Sequence, residues 1–419
     1  MPRAEHLIIT GGTGYIGRRL AEFARRADRK VTLLSRQHAG WKLGDPLPQG
    51  SFDPALPAAA QAIIHLAHDW TNAGGEDPRA NTNRIGTRCL ADAARAAGAR
   101  FVFVSSQSAR PGAANLYGRT KWAIEQELAG PREVSARVGL VYGGPLQAQY
   151  GLLCRLVGIA PLLPMVDPWR PVQPIHLDEV CSGLLLLADN DAIGWVGLAG
   201  PEPLSFGSFL KALARGLYGK FLPVVPIPLR LALLGCDATA RLPLVPTVDR
   251  ERVLGLAGFQ PMPCADHLRA LGLTVRPVAT GLAGEPLARR LRLGEARAGL
   301  AFILGRPPNL DLLRRAVRAV DAEPPVLPRA CRAMPFLLHA IEPIGGNAPL
   351  KRRLELLSAL AEASPDGEAM LQRQGTHRAA RLARIALRLA GETLLLPVRL
   401  VATLMQGRMG MQGRPGRRR

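Results

Sequence analysis

The first 280 residues alternate short apolar runs with amphipathic stretches, and this alternation predicts secondary structure. Between the apolar runs, apolar residues recur every three or four positions, which is typical of helices. The predicted strands are His6–Thr10, Lys30–Leu34, Ala62–Leu66, Phe101–Ser105 and Ser135–Val141, and the predicted helices are Ile16–Arg26, Asn81–Ala97 and Ala114–Leu128. Strands that alternate with helices indicate an α/β fold: a doubly wound parallel sheet, covered on both faces, with ligands at the carboxyl ends of its strands.

The region after the fifth strand loses this regularity. A Pro-rich stretch, Gly143–Pro174, precedes a helix predicted at Asp178–Ala188, a short strand near Val196–Leu198 and a helix at Phe206–Leu217. We expect an irregular, smaller substrate lobe made of about residues 143–175 and 195–275, packed against the sheet. The first domain would then comprise residues 1–280.

The last third of the chain has a different hydrophobic pattern. Strand patterns fade, and helical patterns rich in Arg, Leu and Ala replace them. The predicted helices are Leu287–Leu304, Leu310–Val320, Pro349–Ala363 and Gly375–Leu396. We expect a domain boundary at 278–286, a mostly α-helical extension over 286–406 and a disordered basic tail over 407–419.

The chain carries a net charge of +21 over its 419 residues, and most of its basic residues are arginines. A nucleic-acid or anionic-membrane partner would explain this charge, but so would a compositional bias toward Arg, Ala, Gly and Pro, which we favour. The excess is concentrated in the C-terminal extension. Its basic helices would dock on an anionic lipid surface or a protein partner, or would simply carry solvated arginines, which we prefer. Interleaved aromatic residues are missing there, so we expect no nucleic-acid partner.

The six cysteines include no closely spaced pair, so we expect neither a disulfide framework nor a metal site. The sequence shows no signal-peptide pattern and no apolar run near the roughly 18 residues of a membrane span. We therefore expect a reduced, cytoplasmic location, with attachment to the inner face of a membrane left open.

The segment Thr10–Gly17 reads Thr-Gly-Gly-Thr-Gly-Tyr-Ile-Gly between the first predicted strand and the first helix. Gly11 allows a tight turn, Gly14 allows the backbone to approach a pyrophosphate, and Gly17 allows the helix to pack close to the strand. The helix N-terminus then offers unpaired N–H groups to phosphates. The pattern predicts a dinucleotide site that also uses Thr13, Tyr15 and Ile16.

The end of the second strand selects the cofactor. An acidic residue at this place binds the ribose of NAD, whereas a basic residue accepts the 2′-phosphate of NADP. Ser35 and Arg36 stand here and favour NADP, with NAD as the alternative. Arg36 could instead be a solvated loop residue.

A second pattern places Tyr117 and Lys121 four residues apart on a predicted helix, and therefore on one face. An ammonium beside a phenol should stabilise the phenolate and lower the pKa of Tyr117, which would make it a general acid and base. Ser106, at the end of the fourth strand, could hold the substrate oxygen, and Ser105 lies nearer the strand backbone.

These motifs, together with His65-Leu66-Ala67, Asn83–Thr87, Arg137–Gly143 and Pro174–Val180, resemble the short-chain dehydrogenase/reductase superfamily. The likeness covers about residues 5–275 and is to its extended or atypical branch, the NAD-dependent epimerase/dehydratase relatives. It implies a catalytic set of Ser106, Tyr117 and Lys121. It also implies that Leu66, Ala67, Ser105, Tyr117, Lys121 and Asp53 line the cofactor.

Two other residues, His176 and Asp178, more often link the two lobes in such proteins. The sequence departs from the family at Val138, where a proline is usual. Gln107-Ser108 also replace the Asp-Glu pair of relatives that dehydrate sugars, so we disfavour dehydration.

Two functions from different classes remain. One is an NAD(P)-dependent reductase or epimerase that acts by hydride transfer on a nucleotide sugar or a related hydroxyl or carbonyl compound. The other is a cofactor-binding structural or assembly subunit without turnover. Arg155 and Arg170 are candidates for binding a substrate diphosphate, and a homodimer is left open.

Overall fold

The computed structural model describes residues 3–34, 60–71, 75–77, 79–228, 230, 260–320, 325–338 and 348–365. The strands are β1 His6–Thr10, β2 Lys30–Leu34, β3 Ala62–His65, β4 Arg100–Ser106, β5 Glu133–Val138, β6 Leu140–Tyr142, β7 Leu163–Met165, β8 Pro171–Val172, β9 Pro174–His176, β10 Gly194–Leu198, β11 Leu204–Ser205 and β12 Val224–Pro226. The helices are α1 Tyr15–Arg26, α2 Thr82–Ala96, α3 Leu116–Glu127, α4 Ala148–Ile159, α5 Leu177–Asp189, α6 Phe206–Tyr218, α7 Ala265–Ala270, α8 Val278–Ala283, α9 Pro286–Leu304, α10 Leu310–Ala319, α11 Arg329–Ala333 and α12 Ala348–Glu362.

The main sheet has six parallel strands in the order β2-β1-β3-β4-β5-β10. The α/β, Rossmann-type fold class predicted from the alternation is therefore confirmed. From β1 the chain passes to β2 on one side and afterwards to β3 on the other side. A crevice opens outside the carboxyl ends of two neighbouring strands where the order reverses in this way, and this is where such folds bind ligands.

Alternate strand residues build the two faces of this sheet. Leu7 and Ile9 lie in a core cluster with Leu20 of α1 and Val180 of α5, whereas Ile8 lies in a second cluster with Leu90 of α2. All six side chains are fully buried. Near-continuous apolar strands are what a sheet covered on both faces requires, because each face must bury its own row of side chains.

Two strand predictions need correction. The single strand expected at Ser135–Val141 is two strands: β5 belongs to the main sheet, and β6 pairs with β9 in a separate two-stranded sheet. They are separated at Gly139, where a Cβ would lie 2.3 Å from the carbonyl oxygen of Gln173, so only glycine fits. The short strand expected near Val196 in the smaller lobe is β10, the edge strand of the main sheet.

The region expected to be irregular between Gly143 and Pro174 contains the helix α4, so that prediction was wrong there. The prolines mislead because Pro145 and Pro161 lie just outside the helix, where they interrupt no helical hydrogen bond. The buried face of α4, with Tyr150 and Val157, packs against Phe209 and Leu213 of α6. These two helices form the core of the smaller lobe.

The chain consists of two compact units. The first comprises residues 1–291 and 321–325, and the second comprises the remaining residues. The regular secondary structure in the described residues of the second unit is helical, as predicted. Its clusters include Leu300, Leu312 and Leu357. A buried ion pair also joins Arg353 Nη1 to Glu295 Oε1 at 2.8 Å, so at least one arginine of this unit is not a solvated charge.

The helix predicted at Gly375–Leu396 and the tail 407–419 lie outside the described residues. Within the described part of the chain, no helix combines the length and apolar character needed to cross a membrane.

Candidate active site

The glycine-rich turn lies between β1 and α1, as predicted. Gly11 has a φ of +68°, and a Cβ there would lie 2.8 Å from the backbone nitrogen of Ala67 in the loop after β3. A Cβ on Gly17 would lie 2.3 Å from the carbonyl oxygen of Gly11. The turn is therefore packed tightly against the loop that follows β3, at the carboxyl edge of the sheet.

The first turn of α1 offers free donors at this place. Gly14 is the N-cap residue, and no side chain caps the helix. Thr13 and Gly14 are exposed, whereas Ile16 packs against the core. A helix N-terminus that keeps its N–H groups uncapped, beside a turn without side chains, fits the pyrophosphate of a dinucleotide. The residues present therefore suit NAD or NADP.

A chain of hydrogen bonds fixes the loop after β3. The Ala67 N–H donates to Thr10 Oγ1 at 3.2 Å, and Thr10 Oγ1 lies 2.6 Å from His65 Nδ1. His65 Nε2 lies 3.0 Å from Thr87 Oγ1, which donates to the Asn83 carbonyl oxygen at 2.7 Å. Because the Thr87 hydroxyl already donates to Asn83, it accepts a hydrogen bond from His65. The proton of His65 is therefore assigned to Nε2.

His65 is therefore a structural residue. Burial, reinforced by the charge of Lys121, lowers the pKa of His65 to about 3, so the imidazole stays neutral at physiological pH. It joins β1 and β3 to α2 and holds Leu66 and Ala67 beside Gly11. A neutral histidine thus positions Leu66 and Ala67, the two residues expected at the cofactor. The sequence motifs had assigned no separate role to His65.

The start of α3 brings Tyr117 to the end of β4. Asn115 caps the helix by accepting the Gly118 N–H at 3.1 Å. A Cβ on Gly118 would lie 2.6 Å from the carbonyl oxygen of Ser108, so α3 packs directly on the loop that follows Ser106. The Ser106 hydroxyl is near enough to the phenol of Tyr117 to lower its pKa, an effect second to burial.

Lys121 lies one turn further along α3 and is buried. Its Nζ donates to the carbonyl oxygen of Val104 at 2.8 Å and lies 4.5 Å from the centre of the Phe103 ring. The centre of the Tyr117 ring is 5.8 Å away. The structure therefore brings Ser106, Tyr117 and Lys121 together at one edge of the sheet, as the sequence predicted.

The expected effect of Lys121 on the Tyr117 pKa is not found. Burial raises the pKa of Tyr117 to about 12, and the hydrogen bond with Ser106 opposes this only partly. Burial also lowers the pKa of Lys121 to about 7, against the opposing charge of Glu125. Both groups favour their neutral forms because burial removes water that would solvate a charge on either side chain.

Two aromatic residues that the sequence reading missed also contact Tyr117. The Trp70 ring stacks on the Tyr117 ring at 5.2 Å with an interplanar angle of 14°, and 71% of Trp70 is exposed. The His68 ring meets Tyr117 edge-on at 4.9 Å. Both follow β3 directly, at the edge where Leu66 and Ala67 had been expected at the cofactor. Their position in the sequence, just after a strand of the sheet, was therefore the available signal for a place near the site.

The smaller lobe is tied to this edge by polar contacts. Tyr15, in the first turn of α1, donates to the carbonyl oxygen of Gly143. Glu285 Oε1 accepts the Gly144 N–H at 2.9 Å and lies 3.2 Å from His176 Nε2. Asp178 binds Arg19 Nε at 2.7 Å. His176 and Asp178 thus make linking contacts between elements.

The predicted cofactor residues also include Ser105, Ser35, Arg36 and Asp53. Ser105 is buried beside Ser106, and its hydroxyl has no hydrogen-bond partner in the described part of the chain. Ser35, Arg36 and Asp53 lie outside the described residues. The choice between NAD and NADP therefore rests on the sequence alone.

A tight glycine turn, an uncapped helix and a Ser-Tyr-Lys set at the carboxyl edge of a doubly wound sheet define a dinucleotide-binding protein of the Rossmann class. Residues 7–133 match the profile of the NAD dependent epimerase/dehydratase family. This part of the chain is therefore similar to that family.

A ceramide reductase of Caulobacter vibrioides is 30% identical over 203 residues, which are 46% of this chain. The match spans 63% of the length of that reductase. The crystal structure of gox2253 superposes with a TM-score of 0.50 and 20% identity, covering 68% of this chain and 98% of that one. The structure of MoeE5 in complex with UDP-glucose and NAD has a TM-score of 0.46 and 20% identity, covering 68% and 99%.

Proposed function

We propose that the protein is an NAD(P)H-dependent reductase that converts a carbonyl group of its substrate to a hydroxyl group. The observation that carries this proposal is the convergence of Ser106, Tyr117 and Lys121 beside the loops that follow β1 and β3. A cofactor-binding subunit without turnover needs the glycine turn but has no use for this set. The reductase activity of the relative from Caulobacter supports the same class of reaction.

The chemistry divides among three side chains. The bound cofactor would supply the hydride. Ser106 donates a hydrogen bond to the carbonyl oxygen and orients it, and Tyr117 gives that oxygen its phenolic proton. The ammonium form of Lys121 then stabilises the phenolate that remains. Gly11, Gly14 and Gly17, with the N-terminus of α1, hold the pyrophosphate.

The protonation state of Tyr117 suits the proton transfer that a reduction requires. Because the pKa of Tyr117 is raised to about 12, the phenol is protonated at neutral pH and is ready to give a proton. Epimerisation begins with oxidation of a hydroxyl group and needs a phenolate to accept the proton. Epimerisation of a nucleotide sugar is therefore the second candidate, and it would regenerate the cofactor instead of consuming it.

Tyr117→Phe tests the proposal. NADPH oxidation is measured with an oxidised, ketone-bearing ceramide and with a UDP-linked keto sugar as substrates, and NADPH binding is followed by fluorescence. We expect turnover to be abolished and cofactor affinity to stay within about twofold, because the ring is kept and only the proton donor is lost. Tyr142→Phe, a change at a buried tyrosine of the smaller lobe, is the matched control and should keep activity. Unchanged turnover in Tyr117→Phe would remove this residue from the mechanism.

A further inference from the structure

Four large apolar side chains are exposed on the smaller lobe. Phe221 is 84% exposed and Ile159 is 61% exposed, and Leu162 and Val225 are exposed as well. We call these four residues the apolar patch. Single exposed apolar residues are ordinary, but a contiguous group of them marks a surface that contacts another apolar phase.

Main-chain pairing joins the two chain segments that carry the apolar patch. Leu163, the neighbour of Leu162, donates its N–H to the carbonyl oxygen of Pro223 at 2.9 Å. Pro164 of β7 is paired with Val225 of β12, and both are exposed. Paired residues of neighbouring strands point to the same face of a sheet. Leu162 and Val225 are therefore neighbours on one surface.

Lys220 connects the other two members of the apolar patch. Its Nζ donates to the carbonyl oxygens of Gly158 and Ala160, at 3.1 Å and 2.7 Å, and Ile159 lies between these two residues. Phe221 follows Lys220 directly. The two most exposed residues of the patch therefore lie together at the C-terminal end of α4, within the reach of one lysine side chain.

The two chain segments that carry the apolar patch are purely basic. Residues 145–166 and 203–230 contain five basic residues and no acidic residue. The five are Arg155, Lys211, Arg215, Lys220 and Arg230. A second copy of the chain would place the same positive charges against one another across a symmetric interface, so the charge disfavours a homodimer through this surface. The charge suits a partner that is negative.

We propose that the apolar patch docks the protein on an anionic phospholipid membrane. Such a membrane offers acyl chains beneath a layer of phosphate groups, which matches apolar side chains flanked by basic ones. Arg155 lies one helical turn before Ile159 on α4, and both are exposed, so Arg155 can reach the phosphates when Ile159 is inserted. Lys211 and Arg215 are exposed in the same relation on α6, which packs against α4. This surface is distinct from the C-terminal extension, whose helices the sequence had suggested for lipid contact.

The first test is co-sedimentation of the full-length protein with vesicles of equimolar phosphatidylcholine and phosphatidylglycerol. Ile193 supplies the matched control, because it is 65% exposed but stands two residues after Asp191 in the loop before β10. We expect Ile159→Ser to weaken binding by about tenfold and Ile193→Ser to leave it unchanged, since only the first side chain would enter the acyl region. Native binding in Ile159→Ser, or an equal loss in Ile193→Ser, would overturn the proposal.

The second test identifies the surface that enters the bilayer, because the basic extension can also attract anionic vesicles. Phe221→Trp and Ile193→Trp each add one indole at an exposed position. In vesicles whose phosphatidylcholine carries bromine on its acyl chains, an inserted indole is quenched by contact. We expect Phe221→Trp to show more quenching than the native protein and Ile193→Trp to match it. Quenching of Phe221→Trp at the native level would overturn the proposal, whatever the affinity for the vesicles.

The third test concerns the charges beside the apolar patch. The double variant Lys211→Gln/Arg215→Gln should bind the anionic vesicles about tenfold more weakly, because each basic residue near such a surface contributes to the attraction. Arg25→Gln/Arg26→Gln removes the same charge from exposed positions on α1 and should keep native binding. An equal loss in both double variants would assign the attraction to the net charge of the chain and would overturn the role of α6.

Stability and self-association exclude other occupants of the apolar patch. We expect the Tm of Phe221→Ser to stay within about 2 °C of the native value, because an exposed side chain makes few contacts. Sedimentation velocity should give the same oligomeric state for both proteins. A clearly lower Tm would show that the folded chain itself covers the patch, and conversion of a native dimer to a monomer would assign the patch to a second copy. Either result would overturn the proposal.

Discussion

The Nζ of Lys121 donates a hydrogen bond to the carbonyl oxygen of Val104 at 2.8 Å, while the Tyr117 ring on the same helix is centred 5.8 Å away. Both residues are held in a dry environment that opposes charge on either group. The phenol of Tyr117 is therefore protonated at neutral pH, and the pKa of Lys121 lies near neutrality.

The titration of Lys121 predicts an alkaline limit to activity. Its pKa is lowered to about 7, so the ammonium form is lost as the pH rises through this value. We expect kcat/KM for NADPH, which reports the free enzyme, to fall above about pH 7. Lys121→Arg keeps the charge at all accessible pH values and should move the limit upward. An alkaline limit at the same pH in Lys121→Arg would assign it to another group.

The neutral state of His65 predicts a loss of stability in mild acid. Its pKa is about 3 in the folded protein against 6.5 in the unfolded chain, so the unfolded state binds the extra proton between these values. The free energy of unfolding should therefore fall as the pH decreases from about 6.5 toward 3. In His65→Gln this pH dependence should be weaker, as measured by urea unfolding.

His267, which is partly exposed to solvent, offers the control. His267→Gln should leave the slope of stability against pH unchanged. A native slope in His65→Gln would show that another group causes the acid sensitivity.

The close packing of Gly17 predicts a cost for any side chain there. A Cβ would lie 2.3 Å from the Gly11 carbonyl oxygen, so Gly17→Ala must displace the turn. We expect a loss of about 1–3 kcal/mol in the free energy of unfolding and a reduction of about tenfold or more in NADPH affinity. Gly294→Ala, where a Cβ meets nothing within 4 Å, should leave cofactor binding unchanged and is the matched control. Native NADPH affinity in Gly17→Ala would contradict a role for the turn in binding pyrophosphate.

Cofactor choice is predicted by the residues after β2. If Arg36 contacts the 2′-phosphate, the native protein binds NADPH more tightly than NADH, and Arg36→Ala removes the difference by weakening only NADPH binding. Fluorescence titrations with both cofactors check this. Equal affinities in the native protein would assign Arg36 to the solvent.

Local patterns were sufficient for the sheet and for much of the site. The apolar run His6–Thr10 and the glycines after it specify a strand, a turn and a helix through short-range sterics. All three elements could therefore be predicted. The pairing of Tyr117 with Lys121 follows from helical periodicity. The helix α4 was missed because prolines near its ends resemble loop composition, and the division of Ser135–Val141 depends on a distant carbonyl at Gln173.

The sequence by itself determined the class of fold, the glycine turn and the identity of the Ser-Tyr-Lys set, because each of these depends on residues close together in the chain. Only the tertiary structure decided the protonation of that set and the stacking of Trp70 on Tyr117. The pKa of a group depends on how much water and charge surround it, and contacts between residues distant in the chain depend on packing. Neither can be read from spacing along the sequence.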